Sequence, residues 1–498
     1  MSNSTFKQAL TEAIKEQENI AYGKNGMPAF KSSLDVLVDL YAAMGALRNN
    51  PKEFIRLFRL ALNEDKVNTF KLLFLLRNIR GGLGERNLFR EALILLEEEG
   101  YEKDLLKIMP FITVYGRWDD LFQFKSRVLI EKAIELTISG LENPETQKLV
   151  AKWLPINNAK GNEKLFVSQL RSKLQKTPKE YRKFVSGLRE VVEQKMTANQ
   201  WREIDYSKLP SLALTRYRNA FNKHDEEGFS EYVSLLSQGK TKVNVGAIYP
   251  YNVLNRNAVA SGTTQAEINF IEEQWEKLPD YLNGNKTNIL PMVDVSGSML
   301  ERVSGSTTAM DISVSLGMYL SQRNESAFKN VLCSFAERPK LFNLEMFNTS
   351  KPTEIFKKIQ NHDVGYSTNL EGALKAIVEF GVENKLKQED MPEVLLLISD
   401  MNFNTAMSNG EEKSLKALDL FKRIYREKGY EMPKIVFWNV CHNGSFTVKA
   451  KKEGVTMVSG FSPSIVTSVL SQIKTLNPTT VMLEALKPYE FSEELISE

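Results

Sequence analysis

Apolar residues along the first 285 positions recur at intervals of three and four. The pattern is clearest in FIRLFRLALNED, VNTFKLLFLLRNI, RNLFREALILLEEEG and KDLLKIMPFITVY, and it has the period of an amphipathic helix. Turn signals such as NED, RGGLGE and EEGYEKD separate these segments. Helices of this size stacked in series form an α-solenoid, and the lack of a fixed sequence period predicts irregular, HEAT-like repeats. We therefore predict an all-helical domain over residues 1–285.

The pattern changes at about residue 286, where short apolar runs bounded by turn residues begin. The runs KTNILPMVDVS, KNVLCSF, MPEVLLLISDM, KIVFWNV and GVTMVSGF are typical of buried strands. Helical segments lie between them, among them TTAMDISVSLGMYLSQ and NLEGALKAIVEFGVENKL. Strands alternating with helices predict a Rossmann-like, doubly wound α/β domain over residues 286–480. Residues 481–498 are predicted to form an acidic C-terminal tail, so the chain as a whole is of the α + α/β class.

Composition places the chain among ordinary globular proteins. It has 498 residues, of which 42% are hydrophobic and 26% charged, enough for two or three domains. The cysteines Cys333 and Cys441 are too few for a disulfide framework and lie in or beside apolar runs, which suits a reducing compartment. The polar N-terminus lacks the apolar core of a signal peptide, and no stretch approaches the roughly 18 apolar residues of a membrane span. We therefore expect a cytoplasmic protein with no membrane partner.

The net charge of +3 conceals a local basic excess. Residues 151–220 carry 15 Lys and Arg against 6 Asp and Glu, and aromatic residues are interleaved with the basic ones. That mixture favours binding of a phosphate backbone and stacking of bases, although a solvated helix face with core aromatics has the same composition. The candidate RNA contacts are Arg171, Lys173, Arg182, Lys183, Arg216 and Arg218.

Two polar loops interrupt the helical part, and we expect both to be structural. In IRGGLGER the glycines permit a sharp chain reversal, and the Gly-Lys-Ser/Thr ending of a phosphate-binding P-loop is missing. In YGRWDDLF we expect Asp119 or Asp120 to cap the next helix and Trp118 to pack in the core. Arg117 is placed to pair with a carboxylate.

The candidate chemistry lies where the predicted strands end. Asp294 closes the first strand, and the turn after it carries Ser296 and Ser298. Thr368 precedes a later helix, and Asp400 closes a central strand. In a doubly wound sheet ligands bind at this carboxyl edge.

These five side chains offer only oxygen, which favours Mg²⁺ or, failing that, Mn²⁺ or Ca²⁺. The three histidines, His224, His362 and His442, are scattered and leave little room for a histidine zinc site. Two carboxylates and three hydroxyls do little more than neutralise a dication. An open coordination position is therefore expected to attract a carboxylate or a phosphate oxygen from a partner.

Two other interpretations of this motif remain open. A serine-rich turn after a strand often caps the next helix, and Asp294 can satisfy backbone N–H groups without an ion. An aspartate beside Mg²⁺ at a strand end also occurs in aspartyl-phosphate phosphatases. Those enzymes have a second acid two residues after the nucleophile, and Ser296 stands there in this chain. A Mg²⁺-dependent phosphatase is therefore the less favoured alternative, and we expect no enzyme activity.

The motif D-x-S-x-S at 294–298, together with Thr368 and Asp400, resembles the metal-ion-dependent adhesion site (MIDAS) of von Willebrand factor type A (vWA) domains. The resemblance covers roughly residues 286–480. It implies that the two serines and the threonine contact the ion and that the aspartates act directly or through water. In adhesion-type members of that family ligand binding shifts the last helix, which here corresponds to residues 463–475.

The layout of a helical part followed by a vWA domain is similar to that of the TROVE family of Ro-like proteins. In that family a ring of helical repeats binds the ends of misfolded RNA and small structured RNAs. The motifs LLRNIRGGLGER, YGRWDDLF, VDVSGSM and SDMNF resemble more closely an uncharacterised domain-of-unknown-function family with the same layout. The resemblance implies a non-catalytic protein that binds structured or single-stranded RNA through its helical domain and a partner through its metal. The alternative is a protein-interaction scaffold in which an acidic residue of a protein partner completes the coordination.

Overall fold

The chain forms two compact units. The computed structural model describes residues 14, 17–156, 159–189, 191–362, 368–404, 406–407, 414–441 and 444–489. One unit, here called the α/β unit, comprises Met1–Asn50 and Ile248–Lys487, and the other, the helical unit, comprises Pro51–Ala247 and Pro488–Glu498. Among the described helices, none is both long enough and apolar enough to cross a membrane.

Within the described residues the strands are numbered β1 to β12. In chain order they are Ile20–Tyr22, Pro28–Phe30, Ile289–Asp294, Arg302–Ser304, Thr307–Thr308, Val331–Phe335, Lys340–Asn343, Val394–Ser399, Ala406–Met407, Ser414–Leu415, Lys434–Asn439 and Val455–Ser459.

The α-helices that the described residues form are numbered α1 to α20. In chain order they are Val36–Met44, Pro51–Glu64, Lys66–Arg77, Asn87–Glu98, Glu102–Tyr115, Arg127–Glu142, Gln147–Trp153, Asn162–Lys173, Pro178–Leu188, Val192–Thr197, Ser211–His224, Glu226–Ser237, Pro250–Val253, Gln265–Glu276, Ala309–Arg323, Pro352–Gln360, Leu370–Glu383, Ala417–Glu427, Ile465–Ser471 and Pro478–Leu486. Short 3₁₀ turns lie at Trp118–Gln123, Trp201–Glu203, Tyr206–Lys208, Gly297–Leu300, Leu344–Met346, Gln388–Asp390 and Ile473–Thr475.

A mixed six-stranded sheet forms the centre of the α/β unit. Its strand order is β12-β11-β8-β3-β6-β7, and all neighbours run parallel except the edge strand β7. Every residue of β3 and β8 is buried, because both strands lie inside the sheet and are covered on both faces. The predicted alternation of strands and helices is thus confirmed as a six-stranded mixed sheet. The strand order reverses between β3 and β8, and this is where such sheets place their ligands.

Helix α15 packs closely on β3 because it contains Gly317. A Cβ atom at this position would lie 2.1 Å from Cγ1 of Val293, which no real contact allows. The absence of a side chain therefore sets the distance between the helix and the central strand. This contact brings Ser313, one turn earlier on α15, to the end of β3.

The helical unit confirms that the N-terminal part of the chain is helical. Helices adjacent in sequence pack on one another along much of its length, as in α2 on α3, α4 on α5, α6 on α7 and α11 on α12. Buried aromatic residues make further contacts between elements, such as Phe74 of α3 with Phe89 of α4, and Phe122 of the turn Trp118–Gln123 with Phe166 of α8. Serial packing of this kind is what an irregular helical array requires; the HEAT-like class of the repeats stays a prediction.

The unit boundaries differ from the predicted domain limits of 1–285, 286–480 and 481–498. Residues up to Asn50 and residues 248–285 group with the sheet. Helix α1 packs on β12 and α20, and a Cβ at Gly45 would lie only 2.4 Å from the carbonyl oxygen of Ser459. The prediction missed this because helical periodicity shows which face of a helix is buried and leaves its partner undetermined.

The predicted tail also begins too early. Helix α20 extends through Leu486, and its residues Val481 and Met482 are buried in the α/β unit. Acidic residues near the C-terminus misled the prediction, although apolar residues at helical spacing run to Leu486. Residues 490–498 lie outside the described part of the chain.

Candidate metal centre

Asp294 ends β3 with its carboxylate buried and held from two sides. The backbone N–H of Ser296 donates to Oδ1 at 2.9 Å, and the hydroxyl of Ser399 donates to Oδ2 at 2.5 Å. The backbone N–H of Asp294 itself donates to Ser313 Oγ at 3.1 Å, and this serine in turn donates to the carbonyl of Ile398 at 2.8 Å. These bonds join β3, α15 and β8, so the carboxylate has one fixed orientation.

Three hydroxyl groups from two loops meet beside this carboxylate. Ser296 Oγ lies 3.2 Å from Ser298 Oγ, and the hydroxyl of Thr368 donates to Ser296 Oγ at 3.1 Å. Ser296 and Thr368 are buried, whereas Ser298 is exposed. The cluster is therefore closed on its inner side and open to solvent on its outer side.

These hydroxyl groups do not cap the helices that follow them. Ser296 precedes the 3₁₀ turn Gly297–Leu300, yet its side chain makes no capping hydrogen bond. The helix after Thr368 is capped by Asn369, whose side chain accepts from the N–H of Gly372 at 2.8 Å. Helix capping therefore does not account for the two serines and the threonine.

Asp400 follows β8 and is almost fully buried near Asp294. The N–H of Asn402 donates to its Oδ1 at 3.0 Å. Burial, and then the negative charge of Asp400, raises the pKa of Asp294 to about 7. Two buried carboxylates that repel each other are costly unless a cation lies between them. The burial of both carboxylates, with three hydroxyl oxygens beside Asp294, is the observation that tests the fit of a metal, and these residues would fit a divalent cation.

The structure brings together all five predicted ligands at the point where the strand order reverses. The donor set is two carboxylates and three hydroxyls, which suits a hard cation. Among the described residues, no group of three or more His, Cys, Asp and Glu side chains is arranged to hold a metal. The five predicted ligands, two Asp, two Ser and one Thr, offer oxygen atoms only.

Sequence reasoning missed the residues that hold the ligands in place. Asn404 binds the backbone of Thr368 twice, since its N–H donates to the Thr368 carbonyl at 3.1 Å and its Oδ1 accepts from the Thr368 N–H at 3.2 Å. Ser399, Asn402 and Asn404 all lie in SDMNFN at the end of β8. Polar residues that follow a buried strand in alternation were the available signal.

A hairpin from the beginning of the chain also reaches this loop. The N–H of Lys24 donates to Asn402 Oδ1 at 3.3 Å, and Asn25 Nδ2 donates to the Asn402 carbonyl at 2.6 Å. Gly26 pairs with Asn404 in an antiparallel bridge. The turn between β1 and β2 thus supports the loop that carries Asp400. No sequence signal indicates this contact.

Neither cysteine has the character of a reactive thiol. Burial raises the pKa of Cys333 to about 12, and burial with the charges of Glu301 and Asp400 raises the pKa of Cys441 to about 12. His362, which the sequence placed in the loop before Thr368, contacts the ring of Phe342 at 5.1 Å. Its neighbour Asp363 lies outside the described residues.

The candidate RNA contacts lie on α8, α9 and α11 of the helical unit, and one of them is buried. Arg218 is only 8% exposed, because it faces the core side of α11. Arg171 is half-buried. The exposed members of the set are Lys173, Arg182, Lys183 and Arg216.

The chain resembles families whose function is not described. Residues 288–487 match the family model of a domain of unknown function, DUF7788, and residues 143–286 match that of another, DUF2828. An uncharacterized protein of Acanthamoeba polyphaga mimivirus is 28% identical over 524 residues, covering 95% of this chain and 88% of that protein.

Solved structures give weaker similarities. The crystal structure of the Ro (RSR) protein of Deinococcus radiodurans covers 91% of this chain and 93% of its own at 12% identity, with a TM-score of 0.34. Proximal thread matrix protein 1 of the mussel byssus covers 38% of this chain and 47% of its own at 16% identity, with a TM-score of 0.24. A second structure of that mussel protein has a zinc-occupied MIDAS motif and matches at 15% identity with the same TM-score of 0.24. These likenesses specify no ligand for this chain.

Proposed function

We propose that the α/β unit is a vWA-type domain that binds Mg²⁺ and that the chain is a non-catalytic binding protein. The ion would be held by Asp294, Ser296, Ser298, Thr368 and Asp400. The observation that carries this proposal is the convergence of Thr368 on Ser296 beside Asp294, over a sequence separation of 72 positions. When bound, the ion supplies a Lewis-acidic position that accepts an oxygen ligand from a partner.

The charge of the site selects an anionic partner group. Two carboxylates neutralise a dication, and the hydroxyls add no charge. A carboxylate or phosphate oxygen therefore adds attraction without meeting excess negative charge. Ser298 is the exposed member of the set, so the partner approaches from its side.

We propose RNA as the ligand of the helical unit. Supporting this are the exposed basic residues Lys173, Arg182, Lys183 and Arg216, and the excess of 15 basic over 6 acidic residues in 151–220. Basic surfaces of this kind bind the phosphate backbone by releasing counterions. The second candidate, a protein scaffold, uses the same metal site and differs in having no RNA ligand.

Catalysis is the less favoured role for the site. Both oxygens of Asp294 accept hydrogen bonds, from the Ser296 N–H and the Ser399 hydroxyl, which favours a positioned ligand over a free nucleophile. A phosphoryl-transfer mechanism needs a general acid, and a serine occupies the position two residues after Asp294 where aspartyl-phosphate phosphatases have one. Purified protein that releases phosphate from aryl phosphates in Mg²⁺, and not in EDTA, would reverse this assignment.

Two measurements test the proposal. Calorimetric titration with Mg²⁺ and Mn²⁺ should show one site per chain. A titration without heat of binding would contradict the proposed metal site. Binding to single-stranded and structured RNA across a salt series should exceed that of a neutral control protein and weaken linearly on a logarithmic salt scale. If the protein binds metal but not RNA, the protein-scaffold function is favoured. Its partner is then sought by pull-down with and without EDTA.

A further inference from the structure

The helices on either side of the loop IRGGLGER meet the loop YGRWDDLF of the helical unit around two aspartates. Arg77 and Arg90 donate from Nε to the two oxygens of Asp120, at 2.8 and 2.7 Å. The N–H of Arg117 donates to Asp120 Oδ2 at 2.9 Å. Asp120 is fully buried, so it joins α3 and α4 to the loop YGRWDDLF in the interior of the unit.

Asp119 joins the same arginines at the surface. Its Oδ1 accepts from Arg117 Nε at 2.8 Å, and its Oδ2 lies 2.7 Å from a terminal nitrogen of Arg90. Oδ2 also pairs with a terminal nitrogen of Arg117. All four oxygens of Asp119 and Asp120 are thus engaged by Arg77, Arg90 and Arg117.

Further cations adjoin this cluster. Arg86 is exposed at the start of α4, one helical turn before Arg90, and makes no capping hydrogen bond. Lys152 Nζ lies 5.4 Å from the centre of the Trp153 ring, and Arg117 packs on the same ring. With Arg77, Arg90 and Arg117 this makes five cations, whereas the nearby described acids are Asp119, Asp120, Glu193 and the buried Glu85.

The surface arginines of the cluster are rigid and still reach solvent. The side chains of Arg90 and Arg117 are 19% and 27% exposed. The Arg117 guanidinium lies 3.6 Å from the centre of the Trp153 ring, which fixes its plane. Guanidinium groups held in one orientation bind phosphate with little loss of side-chain entropy.

We propose that Arg86, Arg90, Arg117 and Lys152 bind a phosphate group of a single RNA strand, an inference that rests on the RNA-binding function proposed above. Lys152 lies at the end of α7, and α7 packs on α9, which carries the exposed cations Arg182 and Lys183. Further cations on a neighbouring helix suit a polyanion better than an isolated phosphate ion. Arg86 therefore contacts a terminal or internal phosphate, and the strand extends over α9.

Fluorescence anisotropy with a labelled oligoribonucleotide tests this on the full chain. Arg86→Gln should weaken binding about tenfold and reduce the salt slope by about one, and Lys152→Gln should act in the same direction. The control is Arg127→Gln, which removes the same charge from a side chain on α6 that is 86% exposed. Arg86 has no ion pair among the described residues, so thermal unfolding of Arg86→Gln should match the wild type.

The outcomes separate the inference from the function it rests on. If the wild type binds no RNA, the RNA-binding proposal fails and this site with it. If the wild type binds RNA and the affinities of Arg86→Gln and Lys152→Gln match that of Arg127→Gln, RNA binding stands and the site is overturned.

A comparison of 5′-phosphorylated and 5′-hydroxyl strands identifies which phosphate is bound. If the 5′-phosphorylated strand binds more tightly, and only when Arg86 is present, the site binds a terminal phosphate. If the two strands bind equally and binding still depends on Arg86, the site binds an internal phosphate. A phosphopeptide that competes as well as RNA of equal charge overturns the assignment to nucleic acid.

Discussion

The hydroxyl of Ser399 donates a hydrogen bond of 2.5 Å to Oδ2 of Asp294, joining the ends of two central strands across 105 positions of sequence. Ser399 is not itself one of the proposed metal ligands. It holds one oxygen of the Asp294 carboxylate, while the N–H of Ser296 holds the other. Removal of a residue in this supporting role typically lowers metal affinity by about 10–100-fold.

Ser399→Ala should therefore weaken Mg²⁺ binding by about 10–100-fold while leaving all five ligands in place. Calorimetric titration measures the loss. Ser471→Ala, which removes an exposed hydroxyl on α19, is the control and should bind like the wild type. Equal affinities of the two variants would show that the Ser399 bond has no part in the site.

Asp294→Asn should abolish metal binding and stabilise the metal-free protein. The neutral amide removes the cost of burying a charge and the repulsion from Asp400, which together raise the pKa of Asp294, and we expect about 1 kcal/mol of added unfolding free energy without metal. Thermal unfolding with and without Mg²⁺ checks both effects. Asp419→Asn, an exposed acid in α18, should keep the wild-type response to Mg²⁺. A lower stability of metal-free Asp294→Asn would mean that Asp294 acts mainly through its hydrogen bonds.

Stability in the absence of metal should fall as pH rises through the titration of Asp294. Its pKa is raised from 3.8 to about 7 on folding, so the protonated form favours the folded state below about pH 4, and that stability is lost as pH approaches 7. Mg²⁺ binds the charged form, and the metal-induced rise in melting temperature should therefore grow from pH 5 to pH 8. The same pH series measured on Asp294→Asn shows the contribution of the other groups that titrate in this range. A metal response independent of pH would contradict the raised pKa.

The parts of this site that the sequence predicts are those whose signal is local. Asp294, Ser296 and Ser298 stand together after a buried strand, and Thr368 and Asp400 lie at the start of a helix and the end of a strand. Parallel strands bring such ends to one edge, so their convergence follows from the fold class. The contacts of Asn25 with Asn402 leave no local pattern, because they depend on how distant segments pack.

The same limit explains why the compact units differ from the predicted domain limits. Helix α1 has the apolar spacing of the helices after it, and its partner β12 lies about 400 positions later. Arg218 shows the limit at a single residue, since a basic side chain on an amphipathic helix counts as exposed until packing buries it. Burial of one arginine is decided by tertiary contacts and is not visible in composition.

The hairpin contact leads to a prediction at a distance from the ligands. Asn25→Ala removes the 2.6 Å bond to the Asn402 carbonyl and should loosen the loop whose N–H holds Asp400. We expect Mg²⁺ affinity to fall about threefold to tenfold, at the lower end of supporting-residue effects. Tyr22→Ala is the control in the same hairpin, because that side chain is 68% exposed.

Hydrogen exchange adds a second readout of this coupling. Because binding linkage is reciprocal, Mg²⁺ should slow exchange at the amides of residues 24–26 as well as 402–404. The effect at 24–26 should shrink in Asn25→Ala and persist in Tyr22→Ala. If Mg²⁺ leaves the exchange rates of the hairpin amides unchanged, the hairpin is not coupled to the metal site.

Gly45→Ala tests whether the beginning of the chain belongs to the α/β unit. The new Cβ would lie 2.4 Å from the backbone carbonyl of Ser459, and a backbone atom of a central sheet cannot move aside as a flexible side chain can. We expect a loss of about 1–3 kcal/mol of unfolding free energy, together with loss of the bond from the Gly45 N–H to Ser459 Oγ at 3.0 Å. Gly187→Ala is the matched control, since nothing lies within 4 Å of a Cβ there and the site is inside helix α9. Because alanine favours a helix over glycine by about 1 kcal/mol, that variant should gain stability. If both variants gain stability, helix α1 does not pack on β12.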